Sequence, residues 1–174
     1  QRAPMAEPRT LTPDDAPLSG VTVVRVEQAG DGETIDRIVL EAFGPGRFAK
    51  TAERLREGTS IAVGFVACLD GRVVGSVRLW RIRVGETPCL FLGPIAVERA
   101  ERSEGLGAAL VQACIDHAWA TGAAGILLVG DAPYFGRFGF ARIEGASLPG
   151  PVDPARLLWL PMLAETVAGP VMIG

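Results

Sequence analysis

The residues best placed to do chemistry lie in one short stretch, Arg102-Ser103-Glu104-Gly105-Leu106-Gly107. Two glycines, one residue apart, open a strongly apolar helical segment. Glycine lets backbone N–H groups approach a ligand with no side chain in the way. The first N–H groups of a helix have no internal partner, and the helix dipole favours an anion there. The spacing suits a phosphate or pyrophosphate. It equally suits a tight loop that packs a helix closely on a strand, and the glycines alone do not separate the two readings. A dinucleotide fingerprint needs Gly or Ala three residues after Gly107, where Leu110 stands. Asp131 comes too late to be the ribose acid of that motif. No Gly-x-x-x-x-Gly-Lys-Ser/Thr occurs, which removes the P-loop nucleotide hydrolases.

A second stretch is Asp131-Ala132-Pro133-Tyr134-Phe135-Gly136-Arg137-Phe138-Gly139-Phe140. It holds no Ser, Thr, Cys, His or Lys. Tyr134, the single tyrosine of the chain, is its one side chain able to give up a proton, because an Arg137 guanidinium is far too weak an acid. Pro133 suits the first turn of a helix and places Tyr134 near that start. Tyr134 reads either as a proton donor or as a ring that packs on a ligand. His117 is the single histidine and falls mid-helix in an apolar segment, so it reads as structural. Cys68, Cys89 and Cys114 are odd in number and scattered, with no Cys-x-x-Cys pair. They predict small buried hydrophobes and no metal site. Trp80, Trp119 and Trp159 read as core or edge packing, and the charged run Glu53 to Glu57 as a solvated helix face.

The elements that position these stretches follow from periodicity and punctuation. Gln1 to Gly20 holds four prolines and reads as a loose tail, with one domain over 21–174. Strands are predicted over Val21 to Val26, Ile61 to Leu69, Val73 to Val84, Leu90 to Val97 and Ile126 to Val129. Asp70-Gly71 marks a hairpin turn. A helix is predicted over Glu33 to Phe43, with Ile35, Ile38, Val39 and Ala42 on one face, and a short one over Ala49 to Arg56. Gly105 to Ala120 is the clearest helix, with Leu106, Leu110, Ala113 and His117 as its stripe and Gly122 as its stop. Arg142 to Leu148 and Leu157 to Leu163 are weaker strand expectations. A hairpin-rich sheet joined to a strand–helix–strand crossover is a mixed α/β layout.

Leu92-Gly93-Pro94-Ile95-Ala96-Val97, followed by Arg102-x-x-Gly105-x-Gly107 and a helix, resembles the coenzyme A motif of the GNAT N-acetyltransferases. The block from Asp131 to Phe140 resembles that family's next conserved segment, and the pair is most similar to the YhbS-like bacterial subgroup. The resemblance is strong from Leu90 to Phe140 and compatible over Val21 to Leu163. It implies the acyl-CoA N-acyltransferase fold, a mostly antiparallel central sheet whose central strands splay and whose faces carry helices. It implies that the strand at Ile95, Ala96 and Val97 pairs with the pantetheine arm. It implies that Arg102, Ser103, Glu104, Gly105, Leu106, Gly107 and Ala108 surround the pyrophosphate. Tyr134, Phe135 and Arg137 complete that coenzyme set, with Tyr134 as the candidate general acid. The acyl group, acetyl or another short chain, passes from acyl-CoA directly to a primary amine. A GNAT fold that holds acyl-CoA without turnover, as a sensor or partner subunit, is the alternative.

Two residues depart from the family pattern. Glu104 stands before the first glycine, where the family usually has a base. Phe135 stands four residues before Gly139, where many members carry tyrosine. Thr87 to Val97 contains no carboxylate or histidine, which leaves a water chain or Glu41 to accept the amine's proton. The family resemblance places acceptor selection between Phe43 and Gly58 and in the C-terminal strands, and dimerisation is common among its members.

Composition bounds the remaining classes. The chain has 174 residues, of which 48% are apolar, enough for a sizeable core. The formal charge is −3, so no basic excess serves nucleic acid or an anionic membrane surface. No apolar run reaches the roughly 18 residues of a membrane helix, and no secretory leader is recognisable. The expectation is a cytoplasmic bacterial protein.

Overall fold

The computed structural model describes residues 22–44 and 61–174. The predicted tail and the Ala49–Arg56 helix, with its charged run, lie outside the described residues. Strand β1 (Thr22–Val26) leads through a 3-10 turn (Ala29–Asp31) into helix α1 (Gly32–Phe43). Asp31 organises that junction. Its carboxylate accepts from the Gln28 N–H at 2.7 Å and from both Arg25 amino groups at 2.9 and 3.1 Å. The Arg25 guanidinium, with the Gln28 N–H, holds the Asp31 carboxyl below its ordinary range. Ile35, Ile38 and Val39 are buried as the periodicity predicts, with Ala42 packed at the edge of the same cluster.

Three antiparallel strands follow, β2 (Ile61–Leu69), β3 (Arg72–Val84) and β4 (Thr87–Val97). Asp70 and Gly71 both have positive φ, 54° and 84°, as a two-residue hairpin turn requires. Strand β4 begins three residues before the predicted Leu90. Pro88 reads as a break in a sequence, but here it sits beside the hairpin turn, where β4 has a partner only in β3.

Helix α2 (Leu106–Ala120) crosses back to β5 (Gly125–Val129), which lies parallel to β4. The short helix α3 (Ala132–Gly136) comes next. After it come β6 (Ala141–Arg142), β7 (Ala146–Ser147), β8 (Leu157–Pro161) and β9 (Gly169–Ile173). The sheet runs β1-β2-β3-β4-β5-β8-β6, and β9 pairs with β3 beyond the end of β2. The mixed, mostly antiparallel sheet matches the expected fold class.

Three expectations are corrected. The predicted strand over 142–148 is two two-residue strands, because the chain bends at Glu144 and Gly145, just after the Ile143 N–H bonds the Leu157 carbonyl, and Ala146–Ser147 then pairs with β9. The strand predicted to Leu163 ends at Pro161. The buried seam of α2 is Leu106, Leu110, Val111, Cys114, Ile115 and Ala118, with Ala113 and His117 only half-buried on its flank. That seam packs on one sheet face against Val77, Leu79, Leu92 and Leu128, while α1 covers Val66, Cys68 and Ala96 on the other. Trp80 and Trp159 are buried, while Trp119 is 54% exposed and lies outside the core.

Candidate functional site

The site begins where β4 and β5 part. Their parallel pairing consists of Leu90 with Ile126 and Phe91 with Leu127. Beyond it β4 stays on β3, through Ile95, Ala96 and Val97, while β5 stays on β8. An irregularity sits at the point of divergence. Val77 faces Ile95 but Leu79 faces Leu92, so β4 carries one extra residue across Gly93 and Pro94. Gly93 has φ 142°, the Gly93–Pro94 peptide is cis, and the Trp80 Nε1–H donates to the Gly93 carbonyl at 2.6 Å. The outer edge of Ile95 and Ala96 therefore faces a gap with no strand partner among the described residues.

The chain then turns toward that gap. The Glu98 N–H bonds the Val74 carbonyl at 2.8 Å, a 3-10 turn covers Arg99–Glu104, and Gly105 takes φ 76°. Gly105 is the N-cap of α2 and brings no side chain to cap the helix. The N–H groups of Leu106, Gly107 and Ala108 are the ones left without a partner inside the helix. Leu106 points into the core, 1% exposed, and contributes backbone only. Arg102, Ser103 and Glu104 belong to the 3-10 turn by backbone, while their side chains lie outside what is described.

Helix α3 supplies the opposite wall. Asp131 accepts from the Tyr134 N–H at 2.8 Å and Pro133 occupies the first turn, so the helix starts where its sequence says. Tyr134 is half-buried, edge-on to Phe135 and Phe138 with ring centroids 4.9 and 5.7 Å away. Arg137 lies 4.4 Å over the tyrosine ring and donates from Nε to the Tyr134 carbonyl at 3.2 Å. A Cβ placed on Gly107 would come 3.3 Å from the Tyr134 hydroxyl oxygen. The phenol and the open helix start are therefore neighbours. Phe135, which occupies the position of the more common tyrosine, is buried in the core and fills the space beside Gly130.

These walls enclose a cleft of about 530 Å³, lined by Ile95, Ala96, Val97, Gly105, Gly107, Ala108, Tyr134, Phe135 and Arg137. Two strands diverging beside an uncapped helix start is an arrangement that families can share, and the comparisons decide which. The family model for the Acetyltransferase (GNAT) family matches residues 33–140. The chain belongs to the GNAT family. The uncharacterized N-acetyltransferase YhbS of Escherichia coli K12 is 32% identical over 121 residues, 68% of this chain and 72% of that protein. YjhQ of the same organism is 27% identical over 158 residues, 85% and 86% of the two chains. The E. coli YhbS crystal structure, a complex with CoA, superposes with a TM-score of 0.72 at 29% identity. It covers 88% of this chain and 89% of its own. A Brucella melitensis GNAT acetyltransferase in complex with acetyl-CoA shares the fold at a TM-score of 0.69 and 24% identity, covering 88% and 96%.

Other expected residues of this GNAT chain fall elsewhere. Glu41 lies on α1, beside a smaller cavity of about 230 Å³ lined also by Ile38, Ala42, Val97, Glu98 and Arg99. It pairs loosely with Arg37, 3.4 Å away, and is 60% exposed. His117 stands edge-on to Phe65 at 6.1 Å and its ring makes no hydrogen bond among the described residues. Burial pushes the Cys89 thiol up to about 12 and raises Cys114 as well, so neither is a nucleophile at neutral pH. Among the described residues no three His, Cys, Asp or Glu side chains converge to hold a metal, and no helix is long and apolar enough to cross a membrane.

Sequence reading missed Glu98. Its side chain is 15% exposed and is clamped by Arg72 at 2.8 Å and Arg37 at 3.0 Å. Burial raises its pKa, but the two guanidiniums outweigh burial and hold the carboxyl below its ordinary value. The available signal was an acid directly after a buried strand. Its partners, 26 and 61 residues away in the chain, carry no local pattern.

Proposed function

We propose that this GNAT chain transfers an acetyl or another short acyl group from CoA to a primary amine by direct attack. The observation that carries this reading is the edge of Ile95 and Ala96 opening beside the glycine-led start of α2, with the Tyr134 hydroxyl next to Gly107. The strand edge offers backbone donors and acceptors to the two amides of a pantetheine arm. The N–H groups of Gly107 and Ala108 and the helix dipole suit a pyrophosphate. Arg137 adds a cation at the mouth of the cleft. The CoA and acetyl-CoA bound to the two crystallised relatives support the same assignment.

In this reading the amine first gives its proton to water or to Glu41. Its nitrogen then bonds to the thioester carbon, and the carbon–sulfur bond breaks as the amide forms. The electron pair leaves on sulfur, which takes a proton or a strong hydrogen bond from Tyr134, and the second proton that the nitrogen sheds as the amide forms passes through water to restore the phenol or reach the thiolate. What the protein supplies is position and proton management, which suffices for large rate gains. The domain spans 21–174 and works in the cytoplasm.

The test is release of free thiol from acetyl-CoA across polyamines, amino acids, aminoglycosides and peptide amines, beside thermal shifts with acetyl-CoA, NAD and ATP. Acetyl-CoA at about 100 times its dissociation constant adds roughly 2.7 kcal/mol. A shift with NAD or ATP and none with millimolar acetyl-CoA would overturn the reading. A shift with acetyl-CoA and no thiol release from any amine would leave a coenzyme-holding protein.

A further inference from the structure

The glycine turn has little to hold it in place. Among the described residues nothing lies within 4 Å of the point where a Gly105 side chain would begin. The turn's position is set from the two ends. On the helix side, Leu106 and Leu110 are sunk in the core. On the strand side, the chain leaves the sheet at Glu98 and runs through the 3-10 turn, whose first bond is the Glu101 N–H to the Glu98 carbonyl at 2.9 Å. That side is held by charge. Arg72, the first residue of β3, donates to Glu98 Oε1 at 2.8 Å and approaches Glu101 Oε2 at 3.5 Å. Arg37 of α1 takes Glu98 Oε2 at 3.0 Å.

We propose that Arg72 is a positioning residue for the coenzyme, fixing the glycine turn through its fork onto Glu98 and Glu101. This rests on the coenzyme reading of the cleft given above. The fork is suited to the task. Glu98 and Glu101 are 15% and 18% exposed, so their carboxylates are largely withdrawn from water and their direction is defined. Arg72 itself is 57% exposed, and ion pairs of that exposure contribute little to stability. Its effect is on geometry. Of the two acids Arg37 reaches only Glu98, so removing Arg72 leaves Glu98 partnered but leaves Glu101 with no side-chain partner among the described residues. Backbone donors must meet phosphate oxygens within a few tenths of an ångström, and small misplacements are expensive in binding and rate.

The experiment is calorimetric titration of acetyl-CoA into the wild type and four variants, with melting temperatures recorded without ligand. Arg72→Ala should raise the dissociation constant about tenfold, with Arg72→Lys in between because one ammonium serves a single carboxylate. Glu101→Gln, which removes only the distal contact, should weaken binding by a smaller factor. Arg25→Ala breaks an equally close pair at the β1–α1 junction, whose partner Asp31 is neither Glu98 nor Glu101. It should lower the melting temperature at least as much as Arg72→Ala and leave affinity unchanged. Wild-type affinity in Arg72→Ala would overturn the proposal, as would an equal loss in Arg25→Ala. Should Arg72→Ala fail to fold, unchanged binding in Glu101→Gln overturns it. Wild-type protein that does not bind acetyl-CoA overturns the coenzyme reading itself, a separate result.

Discussion

At its C-terminus α2 is sealed. The Ala123 N–H bonds the Ala118 carbonyl, the Gly122 N–H bonds Trp119, and the Thr121 hydroxyl donates to His117. Gly122 has φ 72°, the conformation of a Schellman cap. At its N-terminus Gly105 has nearly the same φ, 76°, yet it brings no capping side chain, and it lines the cleft with Gly107 and Ala108. One glycine closes a helix, and the other leaves it open beside a tyrosine hydroxyl. Unsatisfied donors at the rim of a cavity are tolerated where a ligand completes them, so the same residue type at the same φ marks structure at one end and a site at the other.

Four changes would break or sharpen that contrast. The largest effect is expected at the open end. Gly107→Val should abolish the acetyl-CoA thermal shift, since even a Cβ there comes 3.3 Å from the Tyr134 hydroxyl and the γ-methyls would reach into the cleft. A folded variant with a normal shift would make the open end purely structural. Next is Tyr134→Phe, expected to lower kcat by roughly 10²–10⁴-fold with little change in acetyl-CoA affinity. Steady-state kinetics with any amine found in the acceptor screen measures this. Lost affinity at constant kcat would make Tyr134 a binding residue.

At the sealed end, Gly122→Ala should cost about 1 kcal/mol of stability by forcing a Cβ into the left-handed region, and it should leave acetyl-CoA affinity untouched. Chemical denaturation and titration of the same variant check both halves. The smallest effect is Glu104→Lys. Exchanging an acid for a base beside the phosphate position should tighten acetyl-CoA binding by a few-fold at low salt, about 1 kcal/mol or less, and by less at high salt. Looser binding would mean that Glu104 serves a structural partner.

What the sequence carried was local. Asp70-Gly71, Gly122 and Pro133 each impose a backbone geometry that their neighbours do not contest, and the structure has the turn, the cap and the helix start there. The Gly105 turn and the Asp131–Phe140 block were legible for the same reason. What was not legible depends on distance. Strand β9 carries little local signal, because it exists through pairing of Ile173 with Ile82, about half the chain away. The α2 seam was misplaced by choosing Ala113 and His117 over Cys114 and Ala118. A helix apolar on most sides leaves periodicity little to choose between, and the sheet beneath settles it. Glu98 escaped because two arginines from separate elements give it its role.

The parting of β4 from β5 also has a kinetic consequence. Strands inside a sheet normally shield their amides from solvent exchange, and the slowest protons of a domain sit there. Here a central strand carries an edge, so the outward-facing amides at Ile95 and Ala96 should lack the deuterium protection of Leu90 and Phe91, whose parallel partners are in place. A molecule seated along that edge would restore their protection selectively. Isotope labelling followed peptide by peptide would then report occupancy of the gap directly, whichever amine the protein proves to use.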